Sequence, residues 1–177
     1  MNHDGISYLV QKGIAWINDQ RNRYYSISQE LSGSDKNLLI AHFDAVLLNA
    51  ARLSYVEYIE NPPFYPELAQ LGIRNLVDFT SMDGITFGDC ILVSRRVPFN
   101  QQTWTSLLFH EMVHVTQYSL LGTQRFAELY VIGWAQNGFV YENIPLERQA
   151  YMLQSQFEQG ELRLSVSQYL KQQFRYV

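Results

Sequence analysis

His110-Glu111-Met112-Val113-His114 places two histidines four residues apart, with a glutamate directly after the first. On a helix, side chains at that spacing leave one face about one turn apart. Two imidazoles so placed can share one zinc ion at about 2.0–2.1 Å each. Glu111 can then lean toward a water in an open coordination position, the division of labour of an H-E-x-x-H helix. A buried helix that happens to carry two histidines is the plain alternative.

The flanking residues favour the metal reading. The periodicity predicts a helix from Thr103 to Leu121, capped by Asn100 or Thr103 and stopped by Gly122. Trp104, Leu107, Leu108, Phe109, Met112, Val113, Val115 and Leu120 make it apolar around most of its circumference, as a core helix is. Its polar stripe is His110, Glu111, His114 and Gln117. Burying such groups is costly unless they are paired or bound to a metal.

A catalytic zinc usually has three protein ligands and one water position. The remaining histidines, His3 near the terminus and His42 in the apolar run 38–48, are poor candidates for the third. A carboxylate, the lone thiol of Cys90 or a water is then needed, with Asp83 and Asp89 as fallbacks. Glu147 is the best candidate, in Pro145-Leu146-Glu147-Arg148-Gln149-Ala150-Tyr151. Pro145 marks the first turn of a helix whose core-facing stripe is Leu146, Ala150, Leu153 and Phe157, and Glu147 borders that stripe. A first-turn glutamate that merely complements the helix dipole is the competing reading. Arg148 has no lone pair to offer and is expected at the surface.

The stretches H-E-M-V-H-V-T-Q-Y (110–118) and P-L-E-R-Q-A-Y (145–151) together resemble compact bacterial gluzincin-type metallopeptidase domains. The nearest likeness is to minimal domains related to the core domain of proteins linked to extracellular contractile injection systems. The likeness spans about residues 60–155 and takes in 83–93 as the strand before the active-site helix. It implies a zincin-like fold, one zinc held by His110, His114 and Glu147, and Glu111 as general base of peptide hydrolysis. Larger gluzincins carry an acidic residue four positions after the glutamate ligand; here that position is Tyr151. The groups that orient the ligands must therefore be built differently, or the site is weaker than in those enzymes. Tyr141 and Tyr151 are candidate oxyanion donors. A strand of residues 86–93 is a candidate for pairing with an extended peptide.

A chain of 177 residues is expected to be one domain, with a 60–155 core on which residues 1–59 pack as N-terminal helices and a first strand. Helices are expected at Ile6–Gln20, from Ser34 or Asp35 to about Asn49, at Gln124–Gln136 and at Val166–Phe174 with Ser165 as cap. Strands are expected at Arg52–Ile59 and Thr86–Ser94. Residues 26–34 and 61–66 read as irregular. That order gives α+β: helices around a small sheet.

Apolar residues make up 47 % and charged residues only 17 %, with 12 Tyr and 10 Phe, so an apolar or aromatic surface could meet a protein partner. A net charge of −4 without a basic run argues against nucleic acid. One cysteine leaves no internal disulfide. The start Met1-Asn2-His3-Asp4 has no secretory-signal pattern, and no run is long enough for a membrane span. The expectation is a cytoplasmic protein, with signal-independent export as the other route. A zinc-stabilised binding or packaging module, and a metal-free adaptor, are the readings from other classes.

Overall fold

The computed structural model describes residues 3–70, 72–73, 75–96 and 100–176, apart from the side chains of His3 and Tyr176. In chain order these residues form α1 (His3–Tyr25), β1 (Gln29–Glu30), α2 (Gly33–Leu39), α3 (Ala45–Ala50), β2 (Arg52–Val56), α4 (Tyr65–Gln70), β3 (Gly84–Phe87), β4 (Cys90–Ser94), α5 (Gln101–Gln136), α6 (Pro145–Glu158) and α7 (Val166–Gln173). The class is α+β, as the sequence implies.

The sheet runs β1-β2-β4-β3, antiparallel except for the parallel β2–β4 pair. All five residues of β4 are buried. Successive strand residues point to opposite faces, so Ile91 and Val93 join one apolar cluster while Cys90 and Leu92 join the other. Burial on both faces explains why Cys90-Ile91-Leu92-Val93 reads as a continuous apolar run. One cluster holds α5, α2, α3, α6 and α7 residues such as Phe109, Leu39, Leu48, Leu153 and Leu170. The other holds Trp16 of α1, Leu68 of α4, and Phe126 and Trp134 from the far end of α5.

Helix α5 is the axis of the molecule, with every residue from Leu108 to Tyr118 buried. Asn100 caps it, its side chain accepting from the Thr103 amide at 2.8 Å. Gly122 breaks it at φ 70, ψ 164, backbone space that is essentially reserved for glycine. The expected helices before and after Gly122 are thus two arms meeting at a kink.

Several local expectations differ from the fold. Residues 86–94 are not one strand but the end of β3, a two-residue turn and β4, with Phe87 facing Cys90 across the turn. Gly88 supplies the positive φ of 69° that such a turn needs. Of these two, β3 is an outer strand and β4 lies inside the sheet, so a peptide added to this hairpin could pair only with β3. The expected helix to Asn49 is two short ones: Ser32 caps α2 by accepting from Asp35 N at 3.1 Å, and Asp44 restarts the chain as α3. Helix α1 is longer than expected, the second strand ends at Val56, and the irregular stretch 61–66 already starts α4 at Tyr65. No described helix is long and apolar enough to cross a membrane.

Candidate metal centre

His110 and His114 lie on the first arm of α5, and Glu147 in the first turn of α6. Pro145 starts α6, and its ring sits against Gly133 so closely that a Cβ there would stand 2.5 Å from Pro145 Cδ. That seat fixes where Glu147 enters. His110, Glu111, His114 and Glu147 are all buried, at 6 %, 3 %, 5 % and 3 % exposure.

The three candidate ligands form a nearly equilateral triangle. His110 Nε2 and His114 Nε2 are 3.1 Å apart, and Glu147 Oε2 is 3.4 Å from the first and 3.3 Å from the second. Four ligands arranged tetrahedrally around zinc at 2.0–2.1 Å stand about 3.3–3.4 Å from one another. Glu147 Oε2 is buried and, although close to both rings, receives no directed hydrogen bond. His110, His114 and Glu147 lie close enough to bind one metal ion.

Hydrogen bonds fix which ring nitrogens face the centre. Gln117 Nε2 donates to Leu146 O at 3.1 Å and Gln149 Oε1 at 3.0 Å. Both are acceptors, so the Gln117 oxygen is the atom 2.8 Å from His114 Nδ1, and Nδ1 must be the donor. Gln154 Nε2 donates to Glu158 Oε1 at 3.1 Å and Ser106 Oγ at 2.7 Å. Its oxygen accordingly accepts from His110 Nδ1 at 2.9 Å. Ser106 also donates to Glu158. Both Nε2 lone pairs are thereby left for the centre. Two such nitrogens and a carboxylate oxygen in one buried triangle require a cation: a metal or a proton.

In the metal-free chain that cation is a proton. Burial pulls the His114 imidazolium down, but the adjoining Glu147 carboxylate more than offsets it and holds the group up at about 9. Burial opposes the Glu147 charge too, yet His114 and His110 drive its carboxyl well below the usual range. A metal must displace the His114 proton. Metal affinity is therefore expected to rise by about tenfold per pH unit up to about 9 and to level off above it; competition with a buffered chelator across pH measures this. Stability carries the matching sign. The pair stabilises the metal-free fold fully between about 4.5 and 6.5; the His114 part is lost as pH rises through about 9, and the Glu147 part as pH falls below about 4.5 toward its depressed value. With metal bound the alkaline loss should disappear from thermal melts.

Glu111 is not part of the triangle. Thr86 Oγ1 donates to its Oε2 at 2.7 Å, and β3 passes so close that a Cβ on Gly84 would stand 2.6 Å from its Oε1. Burial raises its pKa against the opposing pull of His110 and His114. A raised carboxylate is the stronger base.

Tyr130, from the second arm of α5, donates to Glu147 Oε1 at 2.9 Å. Tyr141 lies in the short turn before α6 and lines the same cavity as the four buried polar groups. Tyr151 sets its ring 4.5 Å from the His110 ring, tilted by 55°. Burial first, then the Glu147 charge, keeps Tyr141 and Tyr151 protonated, so each can donate. The fallback ligands lie elsewhere. Asp89 is committed to Arg21 through bonds of 2.7 and 3.0 Å, and Asp83 is exposed. Cys90 is fully buried, its thiol pushed up to about 11 chiefly by burial. His42 packs against Phe109 and Phe157. The side chain of His3 is outside the described residues. Arg148 is exposed, as expected.

No family model, curated protein or solved structure matches the chain. The site itself therefore carries the functional reading.

Proposed function

We propose that this chain is a zinc-dependent peptidase of gluzincin type with a zincin-like fold. The carrying observation is the triangle of His110 Nε2, His114 Nε2 and Glu147 Oε2, with a separate buried carboxylate, Glu111, beside it. Imidazole and carboxylate donors with tetrahedral spacing suit zinc. When bound, zinc would polarise a carbonyl and bring the pKa of a water toward neutrality.

The chain's own groups do the rest. Glu111 accepts the proton of the attacking water and passes it to the departing amine. Thr86 holds that carboxylate in place from β3. Gln117 and Gln154 keep the two imidazoles in the ligating tautomer. Tyr141 or Tyr151 donates to the oxyanion formed as the carbonyl is attacked. The outer strand β3, adjoining Glu111, offers its free edge to an extended peptide.

A second reading is favoured by burial. With all four polar groups at 6 % exposure or less, the centre could serve a zinc-stabilised binding or packaging module. Elemental analysis of protein purified without chelator is expected to give one zinc per chain. The zinc-loaded protein should then cut members of a diverse peptide library, read by mass spectrometry, and stop when chelator is added. Zinc without cutting would favour the module; no zinc even after reconstitution would remove both readings.

A further inference from the structure

Beside the centre lies a cavity of about 130 Å³. Its lining includes His110, Glu111, His114 and Glu147; the rest is mainly aromatic and aliphatic, with Trp16, Phe79, Phe87, Phe126 and Trp134 in its wall and Thr86 and four tyrosines as the other hydroxyl-bearing residues. Apart from those four groups, no lining residue among the described residues carries a formal charge. An apolar cavity of roughly 150 Å³, engineered in another protein, stays dry and accepts a benzene-sized guest, because a water inside needs two to four polar partners. This cavity is close to that size, and the charged groups in its lining are those of the metal centre.

Helix α1 contributes a gap to the wall. Gly13 lines the cavity, and a Cβ built on it would meet nothing within 4 Å. Glycine inside a helix is less stable than alanine, and here it stands in the cavity lining with open space beside it. A lysine or carboxylate side chain would find no opposite charge along the apolar wall, and burying an unpaired charge is strongly unfavourable.

We propose that this cavity is a specificity recess for one large apolar side chain, aromatic or leucine-sized, of the peptide held at the adjoining centre, with Gly13 setting its depth. The substrate is a peptide only if the peptidase reading holds; the recess and its chemistry follow from the cavity. Gly13 and Val131, on two walls of the recess, determine specificity without touching the reacting atoms.

The test uses the full chain, metal-free and zinc-loaded. Toluene and the capped amides of Phe, Leu, Ala and Lys are titrated, with binding read from tryptophan fluorescence and thermal shift. Toluene should bind with or without zinc, and the Phe and Leu amides should bind about tenfold or more tighter than those of Ala and Lys. Gly13→Leu should weaken toluene and the Phe amide by at least about tenfold while leaving zinc affinity unchanged. Val131→Trp is the second filling variant should Gly13→Leu not fold. Equal binding of the Lys and Phe amides, no toluene binding, or filling variants that bind toluene like wild type would overturn the recess. Toluene binding removed by Gly13→Leu, without any cutting by zinc-loaded protein, upholds the recess and removes the peptidase. Zinc-dependent cutting indifferent to neighbouring side chains removes the recess and upholds the peptidase.

Discussion

Glu111→Gln is expected to lower peptide hydrolysis by at least about 10²-fold, the usual scale for a lost general base, while zinc content stays at wild-type level. Glutamine keeps the size of the side chain, and its amide oxygen can still accept from Thr86, so the close passage of β3 at Gly84 is undisturbed. It has no basic oxygen to take the proton. Stability should not fall. Burial raises the Glu111 pKa, so the ionised carboxylate works against folding near neutral pH, and a neutral amide relieves that. Hydrolysis, zinc content and melting temperature measured on one preparation decide the matter. Cutting that persists at the wild-type rate would sink the role given to Glu111.

Removing Glu147 should have the largest effect on the metal and on the fold. Glu147→Ala empties one corner of the triangle, leaves the Tyr130 hydroxyl without its acceptor and strands the His114 charge. Breaking a buried charged pair from one side costs about 3–5 kcal/mol, so the metal-free variant should melt well below wild type. Zinc affinity should fall by more than the roughly 10–100-fold that loss of a ligand's supporting group costs. Gln117→Ala and Gln154→Ala should stay within that smaller range. Glu147→Gln keeps an acceptor for Tyr130 and is the fold-preserving control, and Glu142→Ala, at an exposed position, should bind zinc normally. Chelator competition ranks all five; a Glu147→Gln that binds zinc as tightly as wild type would exclude Glu147 as a ligand.

The parts of this molecule legible in the sequence are those decided within a few residues. Asn100 three residues before Thr103, Gly122 after an apolar run and Pro145 before Leu146 each act through their own neighbours, so the first arm of α5 and the start of α6 could be read directly. The histidine pair comes from helix geometry alone. Glu147 was readable as a residue at a buried boundary, but its approach to the histidines depends on how α6 packs on α5. The turn at Gly88-Asp89 did carry a local signal, masked by the unbroken apolar run of β4. The supporting groups divide the same way. Gln117 lies three residues after His114 and Gln154 seven after Glu147, spacings that put each on the right helical face. Thr86 and Tyr130 reach the site only through the sheet and the kink, and nothing beside them in sequence announces it.

The kink at Gly122 makes the chain unequally tolerant of changes in length. Both arms of α5 serve one small volume: the first supplies the histidines, the second Tyr130 and the Phe126–Trp134 wall. Each residue added to a helix rotates the remainder of that helix by about 100°. One residue inserted between Val115 and Leu121 would keep the histidines together yet swing Tyr130 off Glu147 and rotate the aromatic wall away from the cavity. The connection between α6 and α7 is anchored by the buried Leu162, but its exposed residues 163 and 164 are under no such phase constraint, since doubling a loop costs only about 0.6 kcal/mol. Foreign segments should therefore be accepted at 163–164 and refused in 115–136, although both stretches lie outside the ligand triangle.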